Sequence, residues 1–162
     1  MGGFDYLRLM AAVLVIVHHA RVLNGQPPLT LGPGLDPGAL GVGIFFVISG
    51  ALVAGSLERS ATIASFLAKR ALRIFPGLLV ALVLTALVLG PLVTTLGAGD
   101  YLSAPATWLY VLKNLSLYGV TYALPGVFLA VPMAGIVNGS LWTLRLEFTA
   151  YLGLAVLGAT RW

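Results

Sequence analysis

Apolar residues in this chain come in long runs, separated by short stretches rich in turn formers or charge. A helix needs about 20 apolar residues to cross a bilayer core, with a range of roughly 17–25. Four segments qualify, one of them marginally. The first covers Tyr6–Leu23. It is followed by "NGQPPLTLGPGLDPG", Asn24–Gly38, whose prolines and glycines cannot continue a helix. The second, Ala39–Leu57, is Gly-rich and so suited to close helix packing. The third, Phe66–Val93, starts with Lys69, Arg70 and Arg73 and only then becomes fully apolar, with Pro76 where a kink is expected. The last, Ser140–Thr160, spans despite Arg145 and Glu147. Between the third and last, Leu96–Gly139 mixes Asp100, Lys113, Asn114 and three prolines into apolar sequence, which predicts interfacial or re-entrant pieces. The expected fold is all-α, a polytopic transmembrane helix bundle with about four spanning helices.

Composition agrees with this pattern. Of 162 residues, 59% are hydrophobic and 9% charged, against roughly 25% charged in soluble domains. The net charge of +4 reads as a topology signal rather than as affinity for nucleic acid. Arg59, Lys69, Arg70 and Arg73 cluster between the second and third segments, which makes that side cytoplasmic. The N-terminus and Arg161 then lie inside as well, in a cell (plasma or inner) membrane. Arg21, at the outer end, goes against the rule, but a single charge can snorkel to the interface. The chain holds no cysteine, so a thiolate nucleophile, a disulfide framework and a Cys-based metal site are excluded. The N-terminal run leads into His18-His19-Ala20-Arg21 rather than a small-residue cleavage site, and reads as a retained anchor.

Within the first segment, Arg8 and His19 are eleven steps apart, close to three full turns at about 100° per residue, so they share a helix face. Their axial separation is about 16 Å, which puts His19 deeper in the membrane than Arg8. His18 points about 100° away. Ionisable groups at such depths are functional suspects by default. Arg70 and Arg73 are three apart and share a face at the interface. Two guanidinium forks there suit phosphate, and positive-inside anchoring is the competing reading. Lys69 reads as a lipid headgroup contact. A carboxylate in the last span, Glu147, must find a partner, and Arg145, only two residues away, does not face it. Pairing across helices is the expected solution, either with His19 or Arg8 to orient an active-site group or as a purely structural interhelical pair. Ser49 within "ISGA" reads as small-residue packing. Trp142 reads as an interfacial belt residue. Asn114-Leu115-Ser116 and Asn138-Gly139-Ser140 match the glycosylation sequon.

Four blocks carry a resemblance. "DYLRLMAAVLVIVHHA" resembles the first helix of the acyltransferase-3 family, membrane O-acyltransferases marked by D-x-L-R and R-x10-H, here Asp5, Arg8 and His19. "GVGIFFVISGALV" is similar to that family's G-V-D-x-F-F-x-x-S-G block, with Gly43 in place of the usual Asp. "FLAKRALRIFPGLL" resembles its R-x-x-R block followed by I-x-P, and "NGSLWTLRLEFTAYL" its N-G-x-L-W-[ST]-L-x-x-E block. The resemblance implies transfer of an acyl group, above all acetyl, from cytoplasmic acyl-CoA (acetyl-CoA) to a hydroxyl of a saccharide or lipid-linked glycan. It implies His19 as base or transient acyl carrier, with Arg8 and Glu147 in the catalytic set and Arg70 and Arg73 at the donor phosphates. Implied partners are acyl-CoA, the glycan acceptor and membrane lipids, with neither metal nor nucleic acid. Family members have about ten spanning helices, so residues 1–162 read as the N-terminal portion of one acyltransferase domain, completed by a C-terminal half or a second chain. The rival reading is a non-enzymatic membrane protein or transporter half that uses Arg8, His19 and Glu147 as a proton relay.

Overall fold

The computed structural model describes residues 3–159. Arg161, read above as an inner-side charge, lies outside the described residues. The chain forms two compact units, Met1–Arg59 and Ser60–Trp162.

The first unit is a helical hairpin of α1 (Gly3–Leu23) and α2 (Pro37–Glu58). α1 ends where Gly25 turns into the left-handed region (φ +68°) and the Gln26 N–H returns to the Arg21 carbonyl at 2.9 Å. The Asn24 amide also caps the Ala20 carbonyl at 2.6 Å. Arg21 does not hang free at this end of α1: its Nε donates to the Pro27 carbonyl at 3.1 Å, tying the loop to the helix. α2 starts on Asp36, whose carboxylate accepts from the Gly38 N–H at 2.7 Å, with Pro37 in the first turn where its missing N–H costs nothing. The two helices meet through glycine. A Cβ on Gly41 would stand 2.7 Å from the Ala11 carbonyl oxygen and 2.8 Å from a Val15 methyl, so only a bare Cα fits there.

The second unit begins with α3 (Ile63–Leu84), capped by the Thr62 hydroxyl on the Ser65 N–H at 3.1 Å. The helix runs unbroken through Pro76. The irregularity in backbone hydrogen bonding comes further along, at a π-helical turn, Thr85–Leu89, before α4 (Gly90–Val93). The apolar stretch from Ile74 to Val93 is long enough, at about 30 Å, to cross a bilayer core, which leaves Lys69, Arg70 and Arg73 in the preceding turns. Leu96–Gly139 forms short elements: α5 (Ala98–Ser103), α6 (Pro105–Leu115) and an irregular segment. α7 (Leu141–Ala159) follows and packs on α3.

The short pieces are cross-linked to the π-helical turn. The Tyr101 hydroxyl donates to the Ala86 carbonyl at 2.7 Å, and Gly90 leaves room for its ring. Thr107 Oγ1 donates back to the Tyr101 carbonyl at 2.7 Å. Asn114, 2% exposed, spends its whole amide on the backbone: Nδ2 donates to the Tyr110 and Thr121 carbonyls at 2.8 and 2.9 Å, and Oδ1 accepts from the Thr121 N–H at 3.1 Å. A side chain so placed is no glycosylation acceptor. The other sequon asparagine, Asn138, accepts from the Ser140 hydroxyl at 2.7 Å at the entry to α7. Burial, and secondarily its neighbour Tyr101, pushes the Tyr110 hydroxyl up to about 12, so it stays neutral at physiological pH.

The described residues hold no strand, only an isolated bridge between Thr94 and Val127. Three helical runs among them are long and apolar enough to cross a membrane: Gly3–Leu23, Pro37–Glu58 and Ile63–Val93. α7 forms where the fourth span was expected, but it carries Arg145 and Glu147 and is not among those three.

Candidate active site

In the first unit, α1 is continuous from Arg8 to His19, so the shared face predicted from their spacing stands on an unbroken helix. Arg8 Nη1 sits 3.9 Å from Asp5 Oδ1, one turn back. His19 is exposed, and its Nδ1 donates to the Val15 carbonyl at 2.8 Å. A carbonyl can only accept, so that bond places the proton on Nδ1 and leaves the lone pair on Nε2 in the neutral ring. His18 faces elsewhere, as its register requires. Its Nδ1 lies 2.9 Å from Asp36 Oδ1, a contact that becomes an ion pair when the ring is protonated. Its ring lies where a Cβ on Gly38 would come within 2.8 Å. The two imidazoles meet edge to face, centroids 5.5 Å apart.

In the second unit, α3 and α7 bring Arg70 and Glu147 around one aromatic residue. Tyr151, buried and one turn beyond Glu147, donates its hydroxyl to Glu147 Oε1. The Arg70 guanidinium carbon lies 6.0 Å from the centre of the Tyr151 ring. Phe148 meets Tyr151 edge-on at 6.5 Å and Phe75 of α3 at 5.7 Å, so three rings pack the junction between the helices. Arg73, one turn beyond Arg70, is exposed. Among the described residues no cluster of three His, Cys, Asp or Glu could hold a metal ion.

The acyltransferase domain family model matches residues 1–162. This chain belongs to the acyltransferase-3 family. An O-acetyl transferase of Shigella phage Sf6 is 39% identical over 155 residues, covering 94% of this chain and 45% of that protein. Nodulation protein 10 of Rhizobium leguminosarum bv. viciae is 41% identical over 167 residues, covering 96% of this chain and 44% of its own length. The chain thus spans less than half the length of these curated relatives. No solved structure matches it.

For an acyltransferase-3 member, the glycine at position 43 is a local change with room to spare. Gly43 is exposed, a Cβ there would meet nothing within 4 Å, and the residue lines an open apolar groove of about 600 Å³ with Phe4, Leu7, Ile44 and Val47. A larger side chain could start from this position without meeting its neighbours. The sequence expectations divide between the units: Arg8 and His19 belong to the first, Arg70, Arg73 and Glu147 to the second. The partner Glu147 finds within its own unit is Tyr151, which sequence reasoning did not weigh. The signal was present, because a spacing of four on a helix puts both on one face. Asp36 was missed as well. It lies in a Pro/Gly loop, where nothing local points to a histidine on another element.

Proposed function

We propose that this acyltransferase-3 chain supplies the donor-side part of a membrane O-acyltransferase, taking an acetyl or other acyl group from cytoplasmic acyl-CoA and passing it to a saccharide or lipid-linked glycan hydroxyl. The observation that carries the proposal is the His19 hydrogen bond to the Val15 carbonyl, which leaves Nε2 free to accept a proton. In the reaction His19 Nε2 takes the hydroxyl proton as the oxygen attacks the thioester carbonyl. The new C–O bond forms, the C–S bond breaks, and coenzyme A leaves as its thiolate, which takes up a proton. Base catalysis of this kind is worth about 10²–10⁴-fold.

Arg70 and Arg73 hold the donor's phosphates, where charge-assisted, forked hydrogen bonds are strongest. Arg8, at the cytoplasmic end of the His19 face, guides the donor toward the histidine, and the multi-pass chain has its N-terminus inside. The relatives are more than twice as long as the matched region, so we assign acceptor binding to a further half of the domain or to a second chain. The name of the phage relative, an O-acetyl transferase, supports acetyl as the group carried.

Purified chain in lipid nanodiscs, titrated with acetyl-CoA, tests the donor site. Arg70→Ala and Arg73→Ala should each weaken binding about tenfold or more, the loss expected of a charge-assisted hydrogen bond. Unchanged affinity in both variants would remove the donor assignment. Rapid acid quench with labelled acetyl-CoA separates the two roles of His19: label retained on the protein through His19 marks an acyl carrier, and label found only on the acceptor marks a base.

A further inference from the structure

We propose that α5 and α6 dip into the bilayer beside the long helical run, and that lipid acyl chains cover the outward face of α6. The inference is independent of the donor-site reading and takes from the fold only that Ile63–Val93 crosses a membrane. Packing sets the depth. α6 lies against α3 as well as against the π-helical turn. Leu84, the last residue of α3, stands nine residues before Val93, where the apolar run ends. α6 therefore reaches at least about 13 Å inward from that end. A helix resting on the membrane surface would stay near Val93.

Burial on α6 is reversed relative to a helix of a water-soluble domain. Thr107, Tyr110 and Asn114 are buried, whereas Trp108, Leu109 and Leu112 turn outward at 48%, 44% and 64% exposure. Polar groups beside that outward face are satisfied from within. The exposed Trp108 indole N–H donates to the Leu102 carbonyl at 2.8 Å, in the last turn of α5, where a helix leaves its carbonyls open. The neighbouring carbonyls are closed by side chains too, Asp100 by the Ser103 hydroxyl at 3.1 Å and Tyr101 by Thr107. At the end of α6 the Ser116 hydroxyl donates to the Lys113 carbonyl at 2.6 Å. Water would serve such carbonyls, but hydrocarbon cannot, so the chain must. Charge is scarce here: Leu96–Gly139 holds only Asp100 and Lys113, in the first turn of α5 and the last of α6. The long lysine stem can snorkel to the headgroups. The size of the outward residues selects lipid over another helix. Helices that pair within a membrane meet through small residues, as α1 and α2 do at Gly41, and Trp108, Leu109 and Leu112 are bulky.

Trp108 is itself the reporter. With Trp142 and Trp162 replaced by Phe, the whole chain is reconstituted in phosphatidylcholine vesicles. Their acyl chains carry bromine near the middle or near the headgroup; iodide is the aqueous quencher, and helical circular dichroism the folding control. The reference is Val80→Trp, an exposed position within the spanning run, in a chain whose three native tryptophans are all replaced by Phe. Mid-chain bromine should quench Trp108 by about half or more of the loss it causes in that reference, and iodide should leave Trp108 nearly unchanged. Leu112→Trp in the same Trp-free chain should behave like Trp108. If the replacements lower the helical signal, the difference between the parent and Trp108→Phe gives the same reading. Quenching by iodide puts α6 in water and overturns the proposal. Quenching by headgroup-side bromine alone leaves α6 at the interface and overturns the depth. Quenching by neither bromine nor iodide puts protein over the face and overturns the lipid assignment. A Val80→Trp reference unaffected by mid-chain bromine removes the span itself, and the proposal with it.

Discussion

The two units solve the same problem, a chain with few charges and many apolar residues, in opposite ways. The hairpin of α1 and α2 hides little of itself: Ala11 is the one buried residue among the described residues of α1, and the helices touch where Gly41 lets backbone meet backbone. Its polar side chains are served locally, Arg8 by Asp5, His19 by Val15, His18 by Asp36. The second unit builds an interior, with Tyr101, Tyr110, Thr107 and Asn114 buried and tied to backbone carbonyls. The lesson is a division of labour. A sparse scaffold leaves the His19 imidazole on an exposed helix face, and a cross-linked one packs its polar side chains against its own backbone.

Five substitutions probe that division. The largest effect belongs to the sparse unit: His19→Ala should lower acyl transfer from labelled acetyl-CoA by about 10²–10⁴-fold, while His18→Ala retains most of it. A reversal of the two would show that the chemistry follows the Asp36-paired histidine and not the Arg8 face. Next comes the buried amide of the second unit. Asn114→Ala strands the Thr121 N–H and takes the donor from the Thr121 carbonyl, at a cost of about 2–4 kcal/mol in thermal unfolding, because each unsatisfied buried group costs about 1–3. A loss under about 1 kcal/mol would mean water replaces the amide. Gly41→Val should cost about 1–3 kcal/mol by forcing α1 and α2 apart. A neutral result would show that the hairpin contact contributes little on its own. The smallest change is Tyr118→Phe, which removes an exposed 3.1 Å contact with Thr149 and should shift stability by about 0.5 kcal/mol at most.

How much of this was legible in the sequence follows the same divide. Hydropathy alone located α1, α2, the long run from α3 to α4, and α7 within a few residues, because a helix facing apolar surroundings needs little besides length and apolarity. Register on α1 was equally readable, since Arg8 and His19 sit on one uninterrupted helix. The π-helical turn was not. Thr85–Leu89 carries no change in periodicity, and although Pro91 just beyond it withholds an N–H from the helix, the tyrosine hydroxyl that reaches the Ala86 carbonyl lies on α5. Asn114 read as a sequon and turned out to be a clamp, because its partner Thr121 lies across a loop whose path the sequence does not encode locally. At the candidate site, the arginines and Glu147 were found by charge, and Tyr151 was passed over because an aromatic in an apolar run looks like packing.

The turn at Thr85–Leu89 also acts as a phase shifter for the longest helix in the chain. A wide turn of i→i+5 bonds holds one residue more than regular α geometry would, and each residue carries about 100° of rotation. Everything after it is turned by that amount, which brings Gly90 under the Tyr101 ring. Deleting one residue from this stretch would therefore leave composition and apolar length almost untouched, yet swing Gly90 away and set a side chain against the tyrosine. Length polymorphism at this point should be far less tolerated than any single substitution within it.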